Sequence, residues 1–286
     1  MNTRSIGTLM LLAILLGVAG YMHYHVPKRS VFLTPTAYIY GEINDTILMR
    51  IYWIGTDSKE YSIIKDSNLT IAGLDNFATL KKFEIKETVR YNDNRIKALT
   101  LGIYLKLKKT GIHKGNVTLI IENEKENYRK EVSMGSWVFE IAPRQDHLLK
   151  ITDMIDLEIG PFNKNVSPEC MFAVKNTGDK IIAIEGVQHD LQLIPIEKIT
   201  YVNASSLDEI NENTIEIPLP EAGLYLRPNE SKVIIVHFKR EDFRYPRKPV
   251  VIRFKIIYRT QDKTLEIPTI FTYEVVPLPS PKDIIS

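Results

Sequence analysis

Beyond residue 30, apolar and polar residues alternate with a period of two over most of the chain. Leu99, Leu101, Ile103, Leu105 and Leu107 share one face of an extended segment, with Thr100, Tyr104, Lys106 and Lys108 on the other. Phe83, Ile85, Val89 and Tyr91 alternate with Lys82, Glu84, Lys86 and Arg90. Val250, Ile252, Phe254, Ile256 and Tyr258 alternate with Arg253, Lys255 and Arg259. Successive strand side chains point to opposite faces, so this pattern predicts antiparallel sheets with one buried and one wet face. Turn-forming clusters separate the strands, among them Gly55-Thr56-Asp57-Ser58, Tyr91-Asn92-Asp93-Asn94 and Asn176-Thr177-Gly178-Asp179. No long segment keeps a helical period. Ser205–Asn211 is read as one short helical turn.

The pattern also repeats. The segment Ile43–Ile63 parallels Asn163–Ile184, each a polar turn, a strand, a glycine turn and a second apolar run. Ile96–Pro143 parallels Lys232–Pro277, each ending on Ala-Pro or Val-Pro. Roughly seven short strands per copy, with turns between them, predict two tandem β-sandwich domains of immunoglobulin-like type. The polar stretch Pro143-Arg144-Gln145-Asp146 sets the boundary, giving domains over 30–145 and 146–279 and a tail over 280–286. Prolines at 277, 279 and 281 cannot donate ladder hydrogen bonds, so this end is expected to leave the sheet.

The phrases Phe172-Ala-Val-Lys-Asn-Thr-Gly178 and Leu226-Arg-Pro-Asn-Glu-Ser-Lys-Val-Ile-Ile-Val236 resemble the strand-turn phrases of immunoglobulin-like modules in exported microbial proteins. The resemblance covers about half of the second copy and implies a fold superfamily with no particular function. Leu33-Thr-Pro-Thr-Ala-Tyr-Ile-Tyr40 resembles the first strand of periplasmic pilus chaperones, but their carboxylate-anchoring basic pair has no counterpart in matching context.

The N-terminus departs from the alternating pattern. Ile6–Met22 is uncharged and apolar or small throughout, after one basic residue, Arg4. Such a run at a chain start is read as an export signal or a membrane anchor over residues 1–29, with membrane contact through 6–22. Val18-Ala19-Gly20 offers a signal-peptidase site, whereas Tyr21 and Met22 extend the run to about 17 residues, a marginal span. Lys28 and Arg29 beyond the run balance Arg4, so flanking charge sets no orientation; the remainder is expected outside the cytoplasm, tethered to the cell membrane or secreted. Six Asn-x-Ser/Thr sequons, at Asn44, Asn68, Asn116, Asn165, Asn203 and Asn229, add to this. With 16 Asn and 33 Ser plus Thr in 286 residues, chance supplies about two, and sequons mark N-glycosylation acceptors in exported chains.

Composition narrows the chemistry. The net charge of +2 gives no overall pull toward nucleic acid, and the single cysteine, Cys170, excludes an internal disulfide. Cys170 is in phase with Phe172 and Val174 and reads as a core residue. There is no Gly-rich phosphate loop, no His-Glu-x-x-His and no Gly-x-Ser-x-Gly, and the six histidines are scattered. His23-x-His25 has chelating spacing but flanks the apolar run, and neither a metal nor another cofactor is expected. One stretch stands apart. Lys239, Arg240, Arg244, Arg247, Lys248, Arg253, Lys255 and Arg259 face only Glu241 and Asp242, with Phe243 and Tyr245 interleaved. This is the candidate surface for an anionic polymer or head-group, against the plainer reading of charges guarding a strand edge. The expected function is a non-catalytic envelope binding or scaffold protein whose partner is a protein or envelope polymer. The alternative is a subunit of an envelope enzyme, or of a secretion or pilus assembly, with a site between the two domains.

Overall fold

The computed structural model describes residues 29–74, 76–87, 95–155, 157–159, 169–192, 194–211, 213–239, 249–270, 272–276 and 284. The apolar segment 6–22 and the His23/His25 pair lie outside them. Among the described residues no helix is long and apolar enough to cross a membrane.

The fold is all-β. A four-stranded sheet runs β1 (Ser30–Leu33), β3 (Thr46–Gly55), β6 (Lys97–Leu107), β5 (Ala78–Glu87). A seven-stranded sheet runs β10 (Leu157–Ile159), β20 (Tyr273–Val276), β17 (Val250–Arg253), β2 (Thr36–Glu42), β8 (Tyr128–Ala142), β7 (Gly111–Asn123), β4 (Asn68–Ala72). A five-stranded sheet runs β14 (Ile217–Pro218), β13 (Ile196–Val202), β16 (Ser231–Phe238), β11 (Glu169–Asn176), β9 (Leu149–Met154). The last sheet runs β15 (Leu224–Leu226), β12 (Ile182–Gln188), β18 (Lys255–Arg259), β19 (Thr264–Pro268).

One pairing pattern occurs twice along the chain. β1 pairs antiparallel with β3, and β2 then pairs parallel with β8. In the second half β9 pairs antiparallel with β11, and β10 pairs parallel with β20. Each half thus opens with a strand that leaves one sheet for another.

Among the described residues the two largest hydrophobic cores both border the seven-stranded sheet. The first core gathers Met49, Ile51 and Trp53 of β3, the apolar face of β6, and Trp137 and Phe139 of β8. The second gathers Cys170, Phe172 and Val174 of β11 with Ile234, Val236, Phe254, Ile256 and Tyr258. β2 serves both: Ala37 and Ile39 face the first core, Tyr38 and Tyr40 the second. β17 does the same, with Val251 in the first core and Val250 and Ile252 in the second. The two strands pair in parallel from Val250 opposite Thr36 to Arg253 opposite Ile39. Parallel strands buried on both faces carry near-continuous apolar runs, which is what Ala37–Tyr40 and Val250–Ile252 are.

Three features differ from the sequence reading. First, the strand expected over Val250–Tyr258 is two strands in two sheets, because the chain changes sheets at Phe254. Its apolar phase is as expected, yet Arg253 is buried, not wet, because its face meets the first half of the molecule. Second, Ser58–Lys65 forms a helix, α1, where the repeat implied a strand like Ile182–Gln188. Asp57 caps it, accepting from the backbone amides of Lys59 (2.9 Å) and Glu60 (3.3 Å). Third, Pro143–Asp146 joins β8 to β9, but strands from both sides of it share the seven-stranded sheet. The short helical turn is a 3-10 helix at Leu207–Glu209, inside the expected Ser205–Asn211.

Candidate functional site

The β2–β17 contact brings polar side chains from the two halves together. Arg253 is buried. Its Nε donates to the Thr269 carbonyl at 2.7 Å and its Nη1 to Asp45 Oδ2 at 2.7 Å. Burial pulls the guanidinium below its ordinary pKa, and the Asp45 carboxylate pushes the other way. Lys255 Nζ lies 2.9 Å from Glu140 Oε1 and 3.6 Å from Glu266 Oε1, above the Tyr40 ring. Glu140 also accepts from Tyr38 Oη at 2.5 Å. His147 Nε2 meets Glu42 at 2.7 Å while its Nδ1 lies 3.3 Å from Tyr258 Oη.

At the far side of β20, Glu274 is fully buried. It accepts from Tyr52 Oη at 3.1 Å and Thr272 Oγ1 at 3.3 Å, and pairs with Arg50 at 3.1 Å. Burial raises its carboxyl above the usual range; Arg50 and the Tyr52 hydrogen bond oppose the shift. Buried charges persist when paired and hydrogen-bonded, and these are. The seam between the halves is therefore filled by strand pairing, aromatic rings and satisfied ion pairs.

This arrangement redistributes the predicted basic patch. Arg253, Lys255 and Arg259 do not share one outward strand face: Arg253 belongs to β17, the other two to β18. Arg253 and Lys255 pair with half-buried acids. Arg259 Nε is exposed but paired with Glu185 at 2.6 Å. Lys239 is exposed, and its backbone amide donates to the Pro195 carbonyl. Arg240, Arg244, Arg247 and Lys248 lie outside the described residues; Pro249, just beyond them, accepts from the Thr36 amide at 2.8 Å.

A second polar cluster was not anticipated. On the outer side of the five-stranded sheet, His237 is buried with Glu169 at 2.9 Å from Nδ1 and Glu216 at 2.8 Å from Nε2. Thr200 Oγ1 lies 3.0 Å from Nε2 and donates to Glu216 at 2.7 Å. A hydroxyl, an imidazole and a carboxylate in line are the parts of a hydrolytic triad. Here Thr200 is buried and its proton is held by Glu216, so no activated hydroxyl faces solvent. The cluster is invisible in the sequence, because its members are 16 to 68 residues apart on four strands or their flanks.

Open grooves lie elsewhere. One of about 820 Å³ is polar and runs between α1 and the β7–β8 hairpin, past Lys59, Asp66, Asn68 and Glu122. Another, of about 770 Å³, is lined by His189, Asp190, Leu191 and Pro195. Burial against Phe254 holds His189 down to about 4, and its Nδ1 accepts from the Leu191 amide. Among the described residues no group of three or more His, Cys, Asp and Glu side chains is placed to hold a metal. Cys170 is wholly buried, and burial pushes its thiol far up, so it is no thiolate nucleophile.

Five of the six sequon asparagines are described, and Asn44, Asn68, Asn116, Asn203 and Asn229 are all exposed. Asn165 lies outside the described residues.

No family model matches the sequence, and no curated protein matches it. Among solved structures, the chain is similar to a protein of unknown function from Porphyromonas gingivalis W83, at 12% identity and TM-score 0.26, over 87% of this chain and 100% of that one. It is similar to the I-band fragment I67–I69 from titin at 10% identity and TM-score 0.22, over 88% and 66%. A third likeness is to the YadV chaperone, at 8% identity and TM-score 0.23, over 84% and 98%. Scores this low leave the fold to be argued from the strand order itself.

Proposed function

We propose that the chain is a non-catalytic cell-envelope scaffold or binding protein, membrane-tethered or secreted, acting through two tandem immunoglobulin-like sandwiches. The observation that carries this reading is the seam. β2 and β17 pair directly, and Arg253–Asp45, Lys255–Glu140 and Arg50–Glu274 close the space where an interdomain site would have to open. A seam of this kind supports a rigid two-body spacer over an enzyme subunit with a site between its halves. The recurring pair of opening strands, one antiparallel and one parallel, supports the immunoglobulin-like reading of each half.

The export reading rests on residues 6–22 and is tested by fractionation. Full-length protein is expected in the membrane or outside the cell, and residues 30–286 alone are expected to be soluble. Full-length protein wholly in the cytosol overturns it.

The proposed ligand surface is narrower than composition suggested. Arg253, Lys255 and Arg259 are committed to acids, which leaves Lys239, Arg240, Arg244, Arg247 and Lys248. The soluble part is expected to bind anionic vesicles at low salt and to release them as salt rises. Loss of binding on replacing Arg244, Arg247 and Lys248 by Ser supports the loop; no binding by the parent protein ends the idea.

A further inference from the structure

The outer face of the five-stranded sheet carries an apolar cluster of its own. Ala173 of β11, Val202 of β13, and Val233 and Ile235 of β16 are buried there, on the face opposite to Phe172, Ile234 and Val236 of the second core. Their cover is the connection from β13 to β14, through Leu207 and Ile210. This connection has one turn of 3-10 helix, at Leu207–Glu209. Its hydrogen bonds from Ser205 to Thr214 are local. Glu209 accepts from the Ser205 amide at 2.9 Å, the Leu207 carbonyl from the Ile210 amide at 3.1 Å, and Thr214 Oγ1 from the Asn211 amide at 2.8 Å. The polar attachment to the sheet comes at Glu216, the residue before β14.

Glu216 is held by Thr200 Oγ1 and by His237 Nε2, while His237 Nδ1 meets Glu169. A neutral imidazole has one N–H, and an ionised carboxylate only accepts. With a carboxylate at each ring nitrogen, both contacts are hydrogen bonds only when the ring carries two protons. The surroundings favour that state. β11 presents Glu169, the connection presents Glu216, and β13 presents Thr200 together with Lys198, which stands opposite His237 in register. Lys239 follows two residues on. Both lysines are exposed to water, whereas the two carboxylates touch the ring.

We propose that the connection from β13 to β14 is a strap over the five-stranded sheet and that His237 is its latch, closed while the imidazole carries both protons and released when it loses one. As pH rises through the titration of His237, one ring nitrogen becomes an acceptor facing a carboxylate oxygen. Glu169 is fixed in β11 by its pairing with β16. Glu216 sits on the irregular connection, so it is the partner that withdraws. Leu207 and Ile210 lift with it and uncover Ala173, Val202, Val233 and Ile235. Acid does not open the latch until Glu216 itself gains a proton. Burial raises that carboxyl, but the Thr200 hydrogen bond and the His237 charge outweigh burial and hold it below its ordinary range. The strap is therefore closed in mildly acid solution and opens toward the alkaline side.

The test is a pH titration of the full chain in detergent micelles, followed by NMR of the His237 ring and of methyl groups, which carry no exchangeable proton. The His237 ring and the methyls of Leu207 and Ile210 are expected to shift with one midpoint, while Ile51 and Ile252, in the two main cores, stay in place. In Glu216→Gln the amide can both accept from and donate to the ring nitrogen, so Leu207 and Ile210 should keep their closed positions at every pH. In His237→Phe they should take their released positions at every pH. If that variant does not fold, the parent titration and Glu216→Gln still decide. A titrating His237 with Leu207 and Ile210 unmoved, a singly protonated ring while the strap is closed, or a full shift retained in Glu216→Gln overturns the proposal. So does movement of Ile51 and Ile252 with the same midpoint, which is unfolding and not release of a strap.

Discussion

Arg253 and Arg259 are six residues apart and look equivalent in the sequence, as charged positions on the polar phase of an apolar alternation. Their surroundings separate them. The Arg253 side chain is 8% exposed and held by Asp45 and the Thr269 carbonyl; the Arg259 side chain is 48% exposed, beside Glu185. Removing one partner of a buried pair leaves an uncompensated charge and costs about 3–5 kcal/mol. Breaking an exposed pair costs far less, since water screens it and two long side chains regain freedom. Arg253→Ala is therefore expected to destabilise by several-fold more than Arg259→Ala in urea unfolding; equal midpoints would remove Arg253 from the seam. Alternation gave the correct phase for both residues. It had no means of revealing that a second wall covers the polar face at Arg253, because that wall is built from Asp45, more than 200 residues earlier.

At the scale of elements, alternation was enough to read β6 as a strand, although Thr100 of its expected wet face is buried and only Tyr104 and Lys106 of that phase reach the surface. The reading failed where local pattern and tertiary setting part. β17 and β18 keep one unbroken apolar phase, so nothing in their spacing marks the change of sheet at Phe254. The signal that existed was composition: Val250-Val251-Ile252 is apolar on both faces, the mark of a doubly buried strand. α1 was missed for another reason. It has eight residues and buries only Ile63 and Ile64, too little to establish a helical period. Its readable mark was Asp57 with Glu60 three positions on. In the structure Glu60 instead anchors the helix sideways, accepting from Lys130 at 2.7 Å and Tyr128 at 2.9 Å. Asp57→Ala is expected to cost about 1 kcal/mol. The loss should appear as faster amide exchange over Ser58–Lys65 with the sheets unaffected; unchanged exchange there would mean tertiary contacts alone hold α1.

For the whole molecule, the sequence reading treats 30–145 and 146–279 as domains that each fold alone. The strand pairing leads to a different expected outcome. Residues 30–145 keep the first sheet and four of the seven strands of the shared sheet, so their core stays enclosed apart from Val251. Residues 146–279 lose more. Tyr38 and Tyr40 line their core, β17 loses its parallel partner β2, and Lys255 loses Glu140. Burying a large side chain contributes about 1.5–3 kcal/mol, so two absent tyrosines with an open sheet edge approach the net stability of a small domain. We therefore expect 30–286 to unfold in one transition, 30–145 to fold alone, and 146–286 to gain native NMR dispersion only when 30–145 is added. Two separate transitions in calorimetry, with a 146–286 fragment as stable as the same half within the whole chain, would show instead that β2–β17 pairing joins two finished domains and is not part of what folds them.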